Sequence, residues 1–259
     1  MGIDKLETIG LIAAMPQESE ALLRCIKRWK RNVLGSFRGA QFHLQDRNCI
    51  LVTSGMGLER AMSATRTLLA EVNPHFLISF GIAGAVHSAL QIGDVVVSGN
   101  TCLLNNGLPG RLQPLASMSE AAWKAVSREL QPEGAHLVAG TAITTRGSQV
   151  VKQRLDELVH PILEMETAGI AQVASGMGIP LLSIRSISDG PQSPIPFNLE
   201  AILDENDNFR FGRLLMMILH RPRIIFQSRQ MLQNSRIAAV NAARALVVAL
   251  SQPTPVIIP

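Results

Sequence analysis

Short apolar runs alternate with amphipathic segments along most of the chain, and this alternation restricts the folds that it can adopt. The apolar runs are rich in Val, Ile, Leu and small residues, which is typical of buried strands. They are residues 8–15, 49–55, 75–81, 93–104, 136–144 and 181–188. The segments with helical periodicity are residues 16–30, 57–72, 119–130 and 166–178. We therefore predict an α/β protein, a three-layer α/β/α sandwich with a central mixed, largely parallel β-sheet.

The charge of the chain is unevenly distributed. Seven of its 24 basic residues are arginines in 208–259, a segment that contains no Asp or Glu. The preceding residues, 1–207, therefore carry 17 basic and 20 acidic side chains. Because the composition changes near a proline-rich loop, we predict a main domain over 1–207 and a basic helical C-terminal extension over 208–259 that packs on it or adjoins it.

Two interpretations of this extension are open. Residues 209–236 interleave Leu, Met, Ile and Phe with six arginines, which is typical of a helix that lies on an anionic lipid surface. A C-terminal helix that packs on the body or on a second subunit, with solvated arginines, explains the same pattern. The extension has no Tyr or Trp and no recognised nucleic-acid motif, so a nucleic-acid partner is not expected.

The N-terminus lacks the pattern of a secretory signal, because acidic residues precede a short apolar run that ends at Pro16. No apolar run approaches the roughly 20 residues of a membrane-spanning helix. We expect a cytoplasmic protein, with peripheral contact at the inner membrane surface through the basic extension as an open alternative. The three cysteines and six histidines form no ligand pattern, so no metal site is expected.

Three carboxylates lie where strands give way to turns or helices, at the edge where open α/β sheets bind ligands. Glu18 follows the first apolar run, Glu166 opens a helix, and Asp189 follows the run 181–188. Glycine-rich turns at 54–57 and 80–85 end two other strands, and their N–H groups could hold an anion or a water. Ordinary explanations also exist, since a first-turn Glu complements the helix dipole and Asp is a common turn residue.

Taken together, these features resemble a known superfamily. The matching stretches, in order from residue 9 to residue 189, are IGLIAAMPQESE, TSGMG, SFGIAGAV followed by QIGDVVVS, and LEMETAGIAQVA with GIPLLSIRSISD. They resemble the nucleoside phosphorylase and nucleosidase superfamily, especially the methylthioadenosine/S-adenosylhomocysteine nucleosidases. The resemblance implies a nucleoside phosphorylase-like catalytic domain over 1–207. This domain would cleave the N-ribosidic bond of a 5′-substituted purine nucleoside, with adenine as the expected base, without a cofactor and as a homo-oligomer.

The resemblance also assigns roles to individual residues. Asp189, supported by Ser188, would bind the purine and donate a proton at N7. Glu166 would accept hydrogen bonds from the ribose 2′- and 3′-hydroxyls, with Met165 against the sugar. The other expected substrate contacts are an apolar wall at Ile143 and the glycine turns at Gly55, Gly81 and Ile82.

The attacking group is left open by the sequence. In a nucleosidase, Glu18 and Arg185 would position a water. A phosphorylase needs a phosphate site, and here Ile82 stands where the family commonly has Ser or Thr, while Ser79 stands where hexameric bacterial phosphorylases have a phosphate-binding arginine. Two arginines that could compensate, or could simply be solvated, are Arg60 and Arg146. Hydrolysis and phosphorolysis are therefore both retained.

A narrower resemblance and a different class of function also remain open. SFGIAG, the proline-rich loop after SDG and the segment FGRLLMMILHRP resemble the hopanoid-associated phosphorylases, which implies an adenine nucleoside with a large lipid group at its 5′ end. The alternative from another class is a catalytically idle relative that binds a nucleoside or a membrane surface through the basic extension. The presence of all three carboxylates favours an enzyme.

Overall fold

The computed structural model describes residues 7–105, 107–146, 155–191, 223–253 and 255–258. The longer strands are β1 Glu7–Ala13, β2 Trp29–Leu34, β3 Phe37–Leu44, β4 Arg47–Thr53, β5 Phe76–Ala85, β6 Val95–Asn105, β10 Leu137–Thr144, β11 Pro161–Glu164 and β12 Leu181–Asp189. Two-residue strands are β7 Leu108–Pro109, β8 Gln113–Pro114, β9 Ser117–Met118 and β13 Ile257–Ile258. The helices are α1 Pro16–Arg24, α2 Leu58–Val72, α3 Glu120–Leu130, a 3-10 turn Gln131–Glu133, α4 Thr167–Gly176 and α5 Arg223–Leu250.

The strands form a mixed sheet in the order β11-β10-β6-β12-β5-β1-β4-β3-β2. Its centre, β4-β1-β5-β12, is parallel, and β6, β10 and β11 are parallel to one another but join β12 in the antiparallel sense. The end strand β11 also pairs with β5, which closes five strands into a ring. The carboxyl ends of β1, β5 and β12 consequently meet at one edge of the sheet.

Helices cover both faces of this sheet, and alternating residues of the central strand β1 show how. Ile9 and Leu11 join an apolar cluster with residues of α1, α3 and α5, whereas Ile12 joins a cluster with residues of α2 and α4. Successive side chains of a strand point to opposite faces, so a strand that is buried on both sides must be apolar at every position. The predicted three-layer α/β/α sandwich is confirmed.

One predicted element is wrong in its length. The helix expected over 16–30 ends at Arg24, and Trp29 begins β2, the first strand of an antiparallel β2–β3–β4 meander that the sequence did not predict. Strand β2 lies at the sheet edge and is mostly exposed, so it lacks the apolar alternation that reveals a strand. The two-residue turn at Gly35, between the paired residues Leu34 and Phe37, was the available signal.

Helix α5 runs alongside the sheet and contributes to its larger apolar cluster through Ala239, Ala243 and Leu246. The segment 209–222 and the predicted boundary between residues 207 and 208 lie outside the described residues, so the division into two domains stays a prediction. None of the helices in the described ranges is both long and apolar enough to cross a membrane.

Candidate active site

Glu18 lies in the first turn of α1, directly after the central strand β1. Its Oε2 accepts hydrogen bonds from the backbone N–H groups of Ala14 and Met15, at 2.9 and 2.8 Å, which caps the start of the helix. Its Oε1 accepts a third, at 2.9 Å, from the N–H of Ile82 in β5. Burial raises the pKa of Glu18 above its usual value, against the opposing effects of Arg185 and of these hydrogen bonds.

Arg185, in the middle of β12, is fully buried, and one of its nitrogens lies close to several hydrogen-bond acceptors. Its Nη2 donates to Ser79 Oγ at 2.9 Å and to Glu164 Oε2 at 3.0 Å. Thr167 Oγ1 lies 3.3 Å from the same nitrogen, and Glu166 Oε2 lies 3.6 Å from it. One guanidinium therefore fixes groups from β5, β11 and α4.

Gly81 allows the Glu18 and Arg185 side chains to approach each other across β5. A Cβ at this position would lie 2.2 Å from Glu18 Oε1 and 2.6 Å from Arg185 Nη1. Both contacts are shorter than real Cβ atoms make, so any larger residue would force the two charged groups apart.

Glu166 is the N-cap residue of α4 and is buried. Its Oε1 accepts a hydrogen bond of 3.0 Å from the N–H of Gly57, in the glycine turn before α2. Burial raises the pKa of Glu166 to about 7, the Arg185 charge lowers it, and the nearby Glu164 and Glu18 charges raise it. This side chain can therefore exist in either protonation state near neutral pH.

Glu164 is the acceptor that organises the start of α4. Its Oε2 accepts from the N–H groups of Glu166 and Thr167, at 3.0 and 2.7 Å, and from Thr167 Oγ1 at 2.8 Å. Its Oε1 accepts from Thr144 Oγ1, and that hydroxyl oxygen in turn accepts from the N–H of Ala168. Glu164 thereby ties Arg185 to the helix that carries Glu166.

Asp189 is the last residue of β12. It lies opposite Gly84 of β5, three positions after Gly81, where Glu18 and Arg185 approach each other. Residues Arg185 to Ile187 pair in order with Gly81 to Ala83, but Asp189 rather than Ser188 is opposite Gly84. This β-bulge changes the direction of the strand end, as bulges beside active sites often do. A Cβ on Gly84 would lie 2.6 Å from Asp189 Oδ2, so the carboxylate lies directly on β5.

The Asp189 carboxylate is largely buried and has one side-chain donor. Ser188 Oγ donates to Asp189 Oδ1 at 2.6 Å. Burial raises the pKa of Asp189, and the Ser188 hydrogen bond opposes that effect in part. The protonated acid is thus favoured at higher pH than for a solvated aspartate.

Comparison with known proteins decides the family. Residues 8–210 match the family model of the phosphorylase superfamily. The chain belongs to this superfamily. Its 5′-methylthioadenosine/S-adenosylhomocysteine nucleosidase relative from Oceanobacillus iheyensis is 30% identical over 213 residues, which is 74% of this chain and 90% of the relative. The enzyme of the same name from Marinomonas sp. is 29% identical over 215 residues, covering 74% and 90% of the two chains.

Solved structures show the same fold. An S-adenosylhomocysteine nucleosidase from Streptococcus pyogenes, in complex with 5-methylthiotubericidin, has a TM-score of 0.70 at 21% identity and covers 98% of this chain and 100% of its own. The Neisseria meningitidis methylthioadenosine/S-adenosylhomocysteine nucleosidase bound to methylthio-immucillin-A has a TM-score of 0.68 at 22% identity, with coverage of 95% and 99%. Futalosine hydrolase of Helicobacter pylori has a TM-score of 0.66 at 17% identity, with coverage of 94% and 97%.

Most of the residues expected from the superfamily motifs lie at this edge of the sheet. Glu18, Glu166 and Arg185 are joined there with Gly81 and Ile82, and the pair Ser188 and Asp189 follows three positions along β5. The structure brings these side chains together in one place, whereas the roles predicted for them stay predictions. Within the described ranges, no three His, Cys, Asp or Glu side chains are grouped so as to hold a metal ion.

Two other residues expected to contact the substrate, Met165 and Ile143, differ in how deeply they are buried. Met165, between Glu164 and Glu166, is half-buried. Ile143 is fully buried in an apolar cluster with Cys102 and Leu155, so its part as a wall against the base also stays a prediction.

The glycine turn before α2 lies beside Arg60, one of the two candidate phosphate-binding arginines. Gly55 has a φ of 84°, a conformation that favours glycine, and the Arg60 side chain packs against it. Arg60 is exposed, and Arg146 is more than half exposed and lies 3.8 Å from the Glu59 carboxylate. This pairing favours a surface role for Arg146.

Sequence reasoning missed three residues that hold the side chains of the site in place, Thr144, Glu164 and Thr167, and it considered Ser79 only as a departure from a phosphate site. The signal for Glu164 was present, because an acid that ends a buried apolar strand needs hydrogen-bond donors. The hydroxyl residues gave no comparable signal, since Ser and Thr are common in strands and helix starts for local reasons.

Proposed function

We propose that the chain hydrolyses the N-ribosidic bond of a 5′-substituted adenine ribonucleoside. The observation that carries this proposal is the pairing of β5 with β12. It brings the Glu18–Arg185–Glu166 group to Gly81 and Asp189 to Gly84, which lie about 10 Å apart along one strand. The first group suits the sugar and the attacking water, and the second suits the base.

Asp189 is proposed as the acid that protonates the departing purine at N7. Expulsion of an unprotonated base anion is slow, and a proton donor removes that obstacle. The donor has to be protonated near neutral pH, and burial raises the pKa of Asp189 in that direction. Ser188, which donates to one oxygen at 2.6 Å, would fix the orientation of the carboxyl group. A general acid of this type contributes about 10² to 10⁴ in rate.

Glu166 is proposed to bind the ribose hydroxyls. When ionised, it would accept hydrogen bonds from the 2′- and 3′-hydroxyls and stabilise the electron-poor sugar of the transition state, as carboxylates do in glycoside hydrolysis. Arg185, 3.6 Å from Glu166 Oε2, favours that ionised form. Met165 precedes Glu166 and is only half-buried, which suits contact with the sugar.

Glu18 is proposed as the base that accepts a proton from the attacking water. Its raised pKa improves it as a base near neutral pH, because the ideal catalytic pKa lies close to the operating pH. Its Oε1 faces the Gly81–Ile82 backbone and the Arg185 guanidinium, so the protein would orient both the carboxylate and the water beside it.

The local charge supports water over phosphate as the second substrate. Three buried carboxylates, those of Glu18, Glu164 and Glu166, lie around one buried guanidinium, that of Arg185. A phosphate dianion added to this group would increase an existing excess of negative charge in a poorly solvated place. Ser79 Oγ is already bonded to Arg185, and Ile82 brings an apolar side chain where a phosphate would need donors.

The 5′ substituent is proposed from the relatives, which are named for 5′-methylthioadenosine and S-adenosylhomocysteine. These two nucleosides are therefore the first substrates to test. The lipid-bearing nucleoside implied by the resemblance to hopanoid-associated phosphorylases stays a prediction, as does a homo-oligomeric assembly.

The proposal is tested by incubating the purified chain with methylthioadenosine, S-adenosylhomocysteine, adenosine and inosine, each with and without phosphate. We expect adenine from the 5′-thio nucleosides at a rate that phosphate does not change, with the free ribose derivative as the other product. Phosphate-dependent formation of a ribose 1-phosphate would establish phosphorolysis instead. No free base from any nucleoside would favour the idle relative.

A further inference from the structure

One face of α5 is exposed over three turns and combines aliphatic and basic side chains. Its members are Arg229, Leu232, Arg236, Ile237 and Val240, which we name the α5 ridge. Positions three, four and eight residues apart share one side of a helix, so these five side chains form a continuous strip. Leu232 is 59% exposed and Ile237 is 50% exposed, which are large fractions for aliphatic residues on a folded helix.

From Asn234 onward the opposite side of the helix is buried, whereas residues 229–233 before it include no buried side chain. Asn234, Ala238 and Asn241 all face the protein, and Asn241 Nδ2 donates to the Gly93 carbonyl at 2.9 Å. Towards its C-terminus the helix is covered by α1 and α3, and Val247 is half-buried there. The ridge is therefore the part of α5 that these two helices leave uncovered.

The ridge lies at the same end of the molecule as the candidate active site. Gly93, which holds Asn241, also donates its N–H to the Ile187 carbonyl of β12, two residues before Asp189. The C-terminus of α5 is held at the opposite end, by Arg47 at the start of β4. The helix thus runs against β12, and residues 229–240 extend over about 18 Å from the level of Ile187 towards the edge that carries the site.

We propose that the α5 ridge docks the protein on an anionic lipid surface, with the candidate active site turned towards the membrane. Charge complementarity supports this occupant, because the ridge carries two arginines and residues 208–259 contain seven arginines and no acid. Aliphatic and cationic side chains on one helix face match the two layers of a membrane interface. The docking does not depend on the proposed reaction.

A second copy of the chain suits the ridge less well. A two-fold symmetric contact through this face would gather the two arginines of each copy in one contact with no acidic residue on the ridge to pair with them, and like charges crowded in a contact are unfavourable. A nucleic acid would have phosphates for the arginines but no use for Leu232 and Ile237, and the ridge has no aromatic side chain for base stacking.

The test is co-sedimentation of the full chain with phosphatidylcholine vesicles that contain or lack phosphatidylglycerol. We expect binding to the anionic vesicles that weakens with salt, and little binding to the neutral ones. The double variant Arg229→Gln/Arg236→Gln should bind about 25-fold more weakly, at about fivefold for each arginine. Leu232→Asn/Ile237→Asn should lose about tenfold or more, because its aliphatic groups no longer enter the interface.

A matched control replaces an equally exposed aliphatic residue and an exposed arginine elsewhere, as Val33→Asn/Arg24→Gln. It should bind like the unaltered chain, and all variants should unfold at similar temperatures. The proposal is overturned if the unaltered chain ignores anionic vesicles, or if both ridge variants bind as the control does. It is also overturned if light scattering shows an oligomer that only the ridge variants dissociate, since the ridge would then contact another copy.

Discussion

Two buried arginines hold the opposite ends of the sheet, and their surroundings differ. Arg47, at the amino end, donates from Nη1 to the Leu250 and Gln252 carbonyls at 2.6 and 2.8 Å, and its Nε lies 3.0 Å from Glu7 Oε2. Arg185, in the middle of β12 but beyond the carboxyl end of the central strand β1, lies among Glu164 and Glu166, with the Glu18 carboxylate beside it. Arg47 fastens the end of a helix, where the dipole favours a cation.

The difference separates a structural ion pair from a reactive one. The partners of Arg47 include one carboxylate, that of Glu7, and two backbone carbonyls, those of Leu250 and Gln252. Around Arg185 the carboxylates outnumber the cation, and burial raises the pKa of both Glu18 and Glu166. Such an excess is costly to bury, and it is typical of sites that move protons. We therefore expect changes at the carboxyl end to cost turnover, and changes at the Arg47 end to cost stability.

The largest effect is expected for Asp189→Asn. The amide cannot donate an acidic proton, so kcat should fall by about 10² to 10⁴ while the unfolding temperature stays close to that of the unaltered chain. Adenine release, followed by chromatography, measures the loss. Asp156→Asn, at an exposed carboxylate, serves as the control and should retain full turnover. Near-normal turnover of Asp189→Asn would remove Asp189 from the reaction.

Arg47→Met tests the structural side of the comparison. Loss of the guanidinium leaves the end of α5 without its donor and Glu7 without its partner, and we expect a free energy of unfolding lower by about 3 kcal/mol. For a chain of this size that corresponds to a decrease in Tm of about 10 °C. The kcat/KM at a temperature where the variant is folded should be unchanged. A specific loss of kcat in the folded variant would contradict the separation of the two ends.

Gly84→Ala should displace the acid without unfolding the strand. The new Cβ would lie 2.6 Å from Asp189 Oδ2, and a carboxyl group can rotate away at little cost to stability. Since a misplacement of about 1 Å can cost 10² in rate, we expect kcat to fall by about tenfold to a hundredfold. Gly99→Ala is the matched control, because its Cβ would meet nothing within 4 Å. Equal activity of the two variants would show that Asp189 need not lie against β5.

Glu166→Gln should change the pH dependence of stability. Burial raises the pKa of Glu166 from 4.5 to about 7, so between these values the unfolded chain releases a proton that the folded chain keeps. Its contribution to the free energy of unfolding therefore falls as pH rises through this range. Glutamine cannot ionise, so the stability of the variant relative to the unaltered chain should increase from pH 4.5 to 7.

Denaturant unfolding at several pH values measures this difference. Glu157→Gln, at an exposed position, is the control and should run parallel to the unaltered chain. If the stability difference between Glu166→Gln and the unaltered chain stays constant with pH, Glu166 has the same pKa in the folded and unfolded chains. The buried carboxylates near Arg185 would then differ less from the surroundings of Arg47 than we infer.

Local patterns predicted much of the fold but less of the site's construction. The strand that carries Asp189 and the helix that begins at Glu166 were predicted, because runs of apolar residues and helix starts are encoded over a few positions. Strand β2 was missed, since an exposed edge strand needs no apolar alternation. Glu164 was passed over because its importance lies in the donors from α4, β10 and β12 that converge on it.

The sequence by itself determined the three-layer architecture and the three carboxylates at strand ends, because periodicity and capping act between near neighbours along the chain. Only the tertiary structure decided that Glu18, Glu166 and Arg185 share one buried group, that a bulge turns Asp189 onto Gly84, and that α5 leaves a basic aliphatic ridge uncovered. Charge balance and desolvation depend on distances between residues far apart in sequence, and those distances are set when the sheet and helices pack together.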